Sequence, residues 1–265
     1  MIIYFIIFFF WQISLLADDF PEISGCFCEG GVITGKLKNP RYSIQINQRK
    51  IEIYEDGNFI YAFGRKFDNN FEVSINGNKK RFNIEKKKYK VELINGLPKS
   101  KVEPSQKEIN KIKKDQSKIK ESKKTGQRKR LFEKKFIIPV KGRISGVYGS
   151  QRILNSKPRS PHKGIDIAAP LGTDIVAPSS GVIKLSDDDM FFTGKTVIMD
   201  HGLGLISIFA HLEEISVSVG DKVTQGEKIG TVGMTGRASG PHLHWGIYLN
   251  ETSVDPMSVL YYELN

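Results

Sequence analysis

Cysteine is nearly absent from this chain of 265 residues, which contains only Cys26 and Cys28. Two cysteines exclude a disulfide framework as the basis of the fold. A bridge between positions two apart would be strained, and two thiolates supply only half of a structural zinc set. The fold must therefore rest on a hydrophobic core, for which a content of 39% apolar residues is ordinary.

A hydrophobic run long enough for a comfortable membrane span is also missing. The longest run, residues 2–16, is interrupted by Gln12 and is followed closely by Asp18 and Asp19. It falls short of the roughly 20 residues of a spanning helix and suits the hydrophobic region of a secretory signal. We therefore expect residues 1–17 to be a signal peptide that directs export to the periplasm or cell envelope. An uncleaved N-terminal membrane anchor is the alternative.

The net charge of +11 is concentrated in residues 99–135, which contain fifteen Lys or Arg and five Asp or Glu. This segment is predicted to be a basic linker. Ile109, Ile112 and Ile119 form a thin apolar stripe at helical spacing, so a solvated helix and a disordered chain both remain open. Its charge would attract an anionic membrane or wall polymer, with a purely solvating role as the alternative. Nucleic acid is a poor candidate partner because aromatic stacking residues are almost absent here.

Period-two alternation is the main pattern before this segment. It is visible in residues 43–47 and 50–54, and the dipeptides Asp56-Gly57 and Asn76-Gly77 are typical of hairpin turns. We predict a small antiparallel β-sandwich over residues 25–98 that serves as a scaffold or spacer.

Strand-like runs return after residue 135 and are punctuated by glycine and proline, with few stretches long enough for a helix. Residues 136–265 are therefore predicted to form a mostly antiparallel β domain, which makes the chain mainly β. The predicted strand segments are Lys141–Tyr148, Gly164–Ile167, Gly181–Leu185, Lys195–Met199, Leu205–Ala210, Lys228–Val232 and His244–Leu249.

All five histidines lie after residue 161. His242 and His244 would share one face of an extended strand, because alternate residues of a strand point to the same side. His162 and Asp166 bring an imidazole and a carboxylate into one short segment. Two imidazoles and one carboxylate form a ligand set that zinc accepts readily, and three protein ligands leave a fourth position for water.

Three motifs together resemble the zinc endopeptidases of the LytM/lysostaphin type, peptidase family M23, which cut the peptide part of bacterial cell walls. They are residues 162–166 (His-x-x-x-Asp), 209–212 (Phe-Ala-His-Leu) and 240–244 (Gly-Pro-His-Leu-His). The resemblance extends over about residues 136–258. Each motif alone is weak, but the three in this order are specific.

The resemblance implies a role for each residue of these motifs. His162, Asp166 and His244 would be the zinc ligands, and His211 and His242 the two catalytic histidines that handle protons or stabilise the oxyanion. The implied function is zinc-dependent hydrolysis of peptide bonds in peptidoglycan stem peptides or cross-links.

Three further residues have predicted places in or near the site. His201 is predicted to belong to a turn after a strand and to have no chemistry. Tyr148 and Arg152 are expected to line the substrate groove.

Two other functions compete with the peptidase. A catalytically inactive relative could bind and activate another wall hydrolase, but such relatives are expected to lack metal ligands, and every ligand position is filled here. A general wall-binding module would leave the histidines unexplained.

Overall fold

The computed structural model describes residues 20–124, 126–132, 135–261 and 264. These residues form mainly antiparallel β-sheet, as predicted. The expected signal peptide, residues 1–17, lies outside the described residues and stays a prediction. No helix within the described ranges is long and apolar enough to cross a membrane.

Two small antiparallel sheets form the N-terminal part. One has the order β1-β2-β5 and the other the order β4-β3-β6-β7. Alternate residues of β3 and β6 are buried, and they join residues of β2 and β5 in a common core. The strands are β1 (Ile23–Gly25), β2 (Val32–Lys36), β3 (Ile44–Ile46), β4 (Arg49–Lys50), β5 (Asn58–Ala62), β6 (Asn70–Ile75) and β7 (Asn78–Asn83).

The turn predicted at Asn76-Gly77 connects β6 to β7. Both residues have positive φ, 47° and 88°, which the type I′ hairpin turn requires and which Asn and Gly tolerate best.

Cys26 and Cys28 form a disulfide in spite of their close spacing. The backbone brings their Cα atoms to 5.3 Å, which is within the ordinary range for a bridge. The hydrogen bond from Gly31 N to Cys28 O closes a turn beside the pair.

The C-terminal domain is built on one large antiparallel sheet with the strand order β17-β14-β15-β16-β19-β12-β9. β18 pairs with β13 and β16, and β20 pairs with β19. Each of the seven predicted strand segments overlaps one of these strands. The elements from residue 91 onward are β8 (Val91–Ile94), α1 (Lys99–Val102), α2 (Gln106–Lys124), β9 (Arg143–Gly146), β10 (Gln151–Leu154), β11 (Lys157–Pro158), β12 (Ile165–Ala168), β13 (Asp174–Val176), β14 (Gly181–Met190), β15 (Gly194–Asp200), β16 (Leu205–Ile215), β17 (Lys222–Val223), β18 (Lys228–Val232), β19 (His242–Leu249), β20 (Thr252–Val254) and α3 (Pro256–Tyr261).

β16 is buried along most of its length because both faces of the central sheet are covered. On one face Phe209 packs with Trp245 in the main core. On the other face Ile206 and Ile208 form a smaller cluster, and Ile119 of α2 packs against it. Burial on both faces explains why β16 begins with a mainly apolar sequence, interrupted by Ser207, instead of a strict alternation of apolar and polar residues.

The basic segment forms a helix that lies against the C-terminal sheet. α2 begins with a capping box, in which Ser105 N donates to Glu108 Oε2 at 2.7 Å and Glu108 N donates to Ser105 Oγ. Asp115 of α2 is buried between the helix and the sheet, and its Oδ2 accepts a hydrogen bond from Phe191 N at 2.8 Å. Lys118 pairs with Asp187 on β14. One face of α2 is therefore packed onto the sheet while most of its side chains stay exposed, so the disordered alternative does not describe this helix.

The N-terminal part contacts the C-terminal domain at several places. β8 pairs in parallel with β10, with Val91 opposite Gln151. Lys87 Nζ lies 2.7 Å from Asp255 Oδ2, and Asp255 N donates to Gly30 O at 2.7 Å. These contacts hold β8 beside the strands that carry the histidines.

Candidate metal centre

The register of two neighbouring strands brings a carboxylate and an imidazole together. Asp166 of β12 is the direct partner of His244 of β19 in the antiparallel ladder. His162 precedes β12, and its backbone is fixed on both sides, since His162 N donates to Ser150 O and His162 O accepts from Gly149 N, both at 2.9 Å. Side chains of directly opposed residues lie on the same face of a sheet, so the ladder itself places two of the three groups.

Three side-chain atoms form a compact triangle at this point. Asp166 Oδ1 is 2.8 Å from His244 Nδ1 and 3.0 Å from His162 Nε2. His162 Nε2 and His244 Nδ1 are 3.0 Å apart. His162 and Asp166 are buried and His244 is partly buried. Each of the three residues therefore offers one ligand atom to a single small space.

The residues around the triangle orient it. His162 Nδ1 lies 3.1 Å from Val147 O, and because a carbonyl can only accept, this nitrogen carries the proton and Nε2 keeps its lone pair. Asp166 Oδ2 accepts a hydrogen bond from Arg152 Nη2, which turns Oδ1 toward the two imidazoles.

The charge states of the triangle suit a divalent metal ion. Burial raises the pKa of Asp166, but its close interactions with the His162 and His244 imidazoles outweigh burial and hold the pKa well below its ordinary value of 3.8. Burial lowers the pKa of His244 below 6.5 even though Asp166 opposes the shift. At neutral pH the donors are thus a carboxylate and neutral imidazole nitrogen, and these residues fit a metal ion of the kind that takes mixed nitrogen and oxygen ligands.

His211 and His242 lie next to the triangle. The ring centroids of His211 and His242 are 4.8 Å apart, and His211 is 6.2 Å from His244. His242 Nε2 is 3.9 Å from Asp166 Oδ1. As predicted for alternate residues of one strand, His242 and His244 face the same side of β19.

A β-bulge positions His211. The register between β15 and β16 shifts between Lys195 and Val197, which leaves one extra residue in β16 near His211. His211 itself has φ of 66°, in the left-handed region that non-glycine residues seldom adopt. Bulges of this kind re-aim a side chain at the edge of a site, here an imidazole toward the metal ligands.

Both flanking histidines have the same tautomer. His211 Nδ1 is 2.8 Å from Thr235 O, and His242 Nδ1 is 2.8 Å from Gly240 O. Each Nδ1 must therefore carry a proton, which leaves Nε2 as a proton acceptor. Burial, together with the neighbouring histidines, lowers the pKa of His211 to about 3, so its imidazole is neutral at neutral pH.

His201 is a structural residue, in agreement with its predicted lack of chemistry. It is fully buried, with Nδ1 2.8 Å from Ser180 O and Nε2 2.7 Å from Ser207 Oγ. Burial lowers its pKa to about 4. Both ring nitrogens are occupied within the core and neither faces the metal ligands.

The two residues expected to line the groove lie in different places in the structure. Arg152 lines it and contacts Asp166 directly. Tyr148 is buried, and its hydroxyl donates to Ser253 O at 2.8 Å, so its predicted place in the groove is wrong. Tyr148 instead packs against Gly30 of the N-terminal part, a contact that spacing within one strand cannot reveal.

A cavity of about 650 Å³ opens beside His162, His211 and His244. Arg159 and Arg237 also line it, and sequence reasoning assigned neither of them to the site. Arg237 lies in the glycine-rich segment just before the last histidine motif, and its position there is the one signal that could have drawn attention to it.

The family described as Peptidase family M23 matches residues 160–256, a range that contains all three residues of the triangle and both flanking histidines. This part of the chain is therefore similar to the M23 peptidases. A peptidase M23 structure from Pseudomonas aeruginosa superposes with a TM-score of 0.65 at 27% sequence identity. The match covers 88% of this chain and 94% of the Pseudomonas chain.

Two curated proteins are similar to this part of the chain. Peptidoglycan DD-endopeptidase ShyA of Vibrio cholerae is 33% identical over 129 residues, which are 48% of this chain and 30% of ShyA. A metalloprotease of Buchnera aphidicola is 37% identical over 126 residues, 47% of this chain and 33% of the relative. The match thus spans about a third of the length of these curated relatives.

Proposed function

We propose that this protein is a zinc-dependent endopeptidase that hydrolyses peptide bonds in the stem peptides or cross-links of bacterial peptidoglycan. The observation that carries the proposal is the triangle formed by His162, Asp166 and His244, with two further histidines beside it. The similarity of the M23 domain to a peptidoglycan DD-endopeptidase supports the choice of substrate.

Zinc is the metal that this donor set favours. His162 Nε2, Asp166 Oδ1 and His244 Nδ1 would hold it, and two neutral nitrogens with one carboxylate form a three-ligand set of the type found in catalytic zinc sites. When bound in such a site, zinc acts as a Lewis acid and lowers the pKa of water to about 7. Arg152 supports the site by holding Asp166 in its ionised form and orientation.

His211 and His242 are the proton-handling groups in this proposal. Each keeps its proton on Nδ1 through a hydrogen bond to a carbonyl, so each presents Nε2 as an acceptor. An acceptor at this position can take the proton of an attacking water and later deliver it to the leaving amine. A positioned acid or base of this kind contributes roughly 10²- to 10⁴-fold to the rate.

The inactive-regulator alternative is less well supported. A regulator of that kind is expected to lack metal ligands, whereas this chain has all three together with both flanking histidines.

Export to the periplasm or cell envelope is part of the proposal. It rests on the apolar run at residues 2–16 and on a substrate that lies outside the cytoplasm. The basic helix α2 would favour contact with an anionic membrane or wall polymer, because lysines such as Lys107, Lys113 and Lys120 are exposed on it.

Incubation of the purified protein with intact wall sacculi tests the proposal. We expect soluble muropeptides whose masses identify one type of cleaved peptide bond, and we expect a chelator to abolish their release. Release that persists after the metal has been stripped, or no release from sacculi and from soluble muropeptides by zinc-loaded protein, would contradict it.

A further inference from the structure

The cavity beside the metal centre has two unlike walls. Its floor is formed by His162, His211 and His244. The segment that contains α1 and α2 contributes an apolar wall, which includes Val102 and Ile112. The remaining lining residues form a largely polar wall, and a volume of about 650 Å³ is enough for several residues of a peptide.

The polar wall is cationic. Arg152, Arg159, Lys163 and Arg237 line the cavity, and none of its described lining residues is Asp or Glu. Burial, together with the charges of Arg152 and Arg159, lowers the pKa of Arg237 to about 10, so the three guanidinium groups repel one another in this cavity. Like charges in a partly buried cavity destabilise each other unless an anion joins them.

The three arginines differ in their partners. Arg152 is engaged with two carboxylates, those of Asp166 and Glu92, and supports a metal ligand. Arg159 donates to two neutral carbonyls, Nη2 to Val102 O at 2.6 Å and Nη1 to Pro158 O at 3.1 Å. These carbonyls fix the guanidinium in place without neutralising its charge.

Arg237 is held in a different way. Its guanidinium carbon lies 4.1 Å from the centroid of the Phe192 ring, and its backbone N donates to Phe192 O at 2.8 Å. Stacking on an aromatic ring fixes the plane of the guanidinium, and a fixed plane favours recognition of another planar group that can accept two parallel hydrogen bonds.

We infer that Arg159 and Arg237 bind a carboxylate of the substrate peptide and thereby select peptides that carry a free carboxylate close to the scissile bond. The inference rests on the proposed peptidase function and adds a specificity to it. The carboxylate can be the C-terminal one of a stem peptide or that of an acidic side chain, and both present the same planar anion to the cavity.

Three synthetic stem pentapeptides separate these sources. The first carries all its carboxylates, the second has a C-terminal amide, and the third has its side-chain carboxylate converted to an amide. For the zinc-loaded full-length protein we expect kcat/KM to be roughly 10- to 100-fold lower on whichever peptide has lost the recognised carboxylate, the range expected for one lost charge-assisted hydrogen bond. Equal cleavage of all three peptides would overturn the inference and leave the proposed function intact.

Arg237→Gln provides the matching change in the protein. It should lower kcat/KM on the fully charged peptide by a similar factor. On the peptide whose recognised carboxylate has been converted to an amide, kcat/KM should change less than about threefold. Arg143→Gln is the control, since Arg143 is exposed on β9 and is not among the cavity-lining residues. Arg159→Gln should behave like Arg237→Gln. Equal losses on all the peptides would show that Arg237 supports the fold or the metal instead, and would overturn the inference.

A binding measurement removes the dependence on turnover. The charged product peptide is titrated into wild-type protein and into Arg237→Gln, with zinc content measured on both. We expect Kd to rise roughly 10- to 100-fold in the variant at unchanged zinc content. Equal affinities would overturn the inference. Failure to cleave any of the peptides would instead contradict the proposed function, and the binding result tests the inference even in that case.

Discussion

Asp166 and His244 are opposed residues of one antiparallel ladder, and their side chains meet with Asp166 Oδ1 2.8 Å from His244 Nδ1. The relationship is set by strand register, so a slip of one residue between β12 and β19 would send one of the two side chains to the other face of the sheet. Trp245, the neighbour of His244, is fully buried on that other face and opposes such a slip. The candidate metal centre is therefore fixed by the core of the domain.

Substitution of either of these residues should remove the metal. Asp166→Asn keeps the size of the side chain but loses the negative charge, and His244→Ala removes a donor atom, so we expect both variants to lose zinc and hydrolysis together. Elemental analysis of the purified variants measures the zinc. Asp174→Asn is the control, because Asp174 is an exposed carboxylate paired with Lys228 on the same domain. Full zinc content and activity in either ligand variant would show that the coordination sphere is different.

His211→Ala and His242→Ala should separate metal binding from catalysis. Both residues flank the triangle without belonging to it, so zinc should be retained while kcat falls roughly 10²- to 10⁴-fold. Zinc stoichiometry, melting temperature and hydrolysis are measured on the same preparations. Loss of zinc in His242→Ala together with its retention in His244→Ala would mean that the roles of these two residues are reversed.

The packing of α2 gives a third prediction. Asp115→Ala leaves the buried backbone N–H of Phe191 without its acceptor, and an unsatisfied buried group typically costs about 1–3 kcal/mol. We therefore expect the free energy of unfolding, measured in denaturant, to fall by about that amount. Asp115→Asn is the matched control, since its side-chain oxygen can still accept the bond. No change in Asp115→Ala would indicate that α2 is solvated, as a linker would be.

The candidate metal ligands could be predicted from the sequence because their geometry is local or periodic. His242 and His244 share a face through the period of a strand, and the motif order supplied the remaining ligands. Tyr148 could not be placed, since its partner Ser253 is more than a hundred residues away. Arg159 and Arg237 were missed for the same reason, as they come together only when β11, α1 and the glycine-rich segment meet at one cavity.

The basic segment shows why composition alone misleads. Its few isoleucines are too sparse to predict a packed helix, yet Ile112 is buried and Ile119 packs on the sheet. The missing hydrophobic contact is replaced by ion pairs, such as Lys118 with Asp187, which need acidic partners from β14. Ion pairs between distant segments cannot be predicted from the residues that neighbour each other in the sequence.

The last prediction concerns His201 and the pH dependence of stability. Burial lowers its pKa from 6.5 to about 4, so between these values the unfolded state binds a proton that the folded state does not. The free energy of unfolding is therefore unaffected by this titration above pH 6.5. It falls by up to about 3 kcal/mol as the pH decreases toward 4. His201→Gln should therefore be less stable at pH 7, because the bonds to Ser180 and Ser207 change, but its stability should fall less steeply with acid. Denaturant unfolding of both proteins at pH 7, 6, 5 and 4.5 measures the two slopes. Parallel curves would show that His201 does not titrate in this range or that its proton is bound equally in both states.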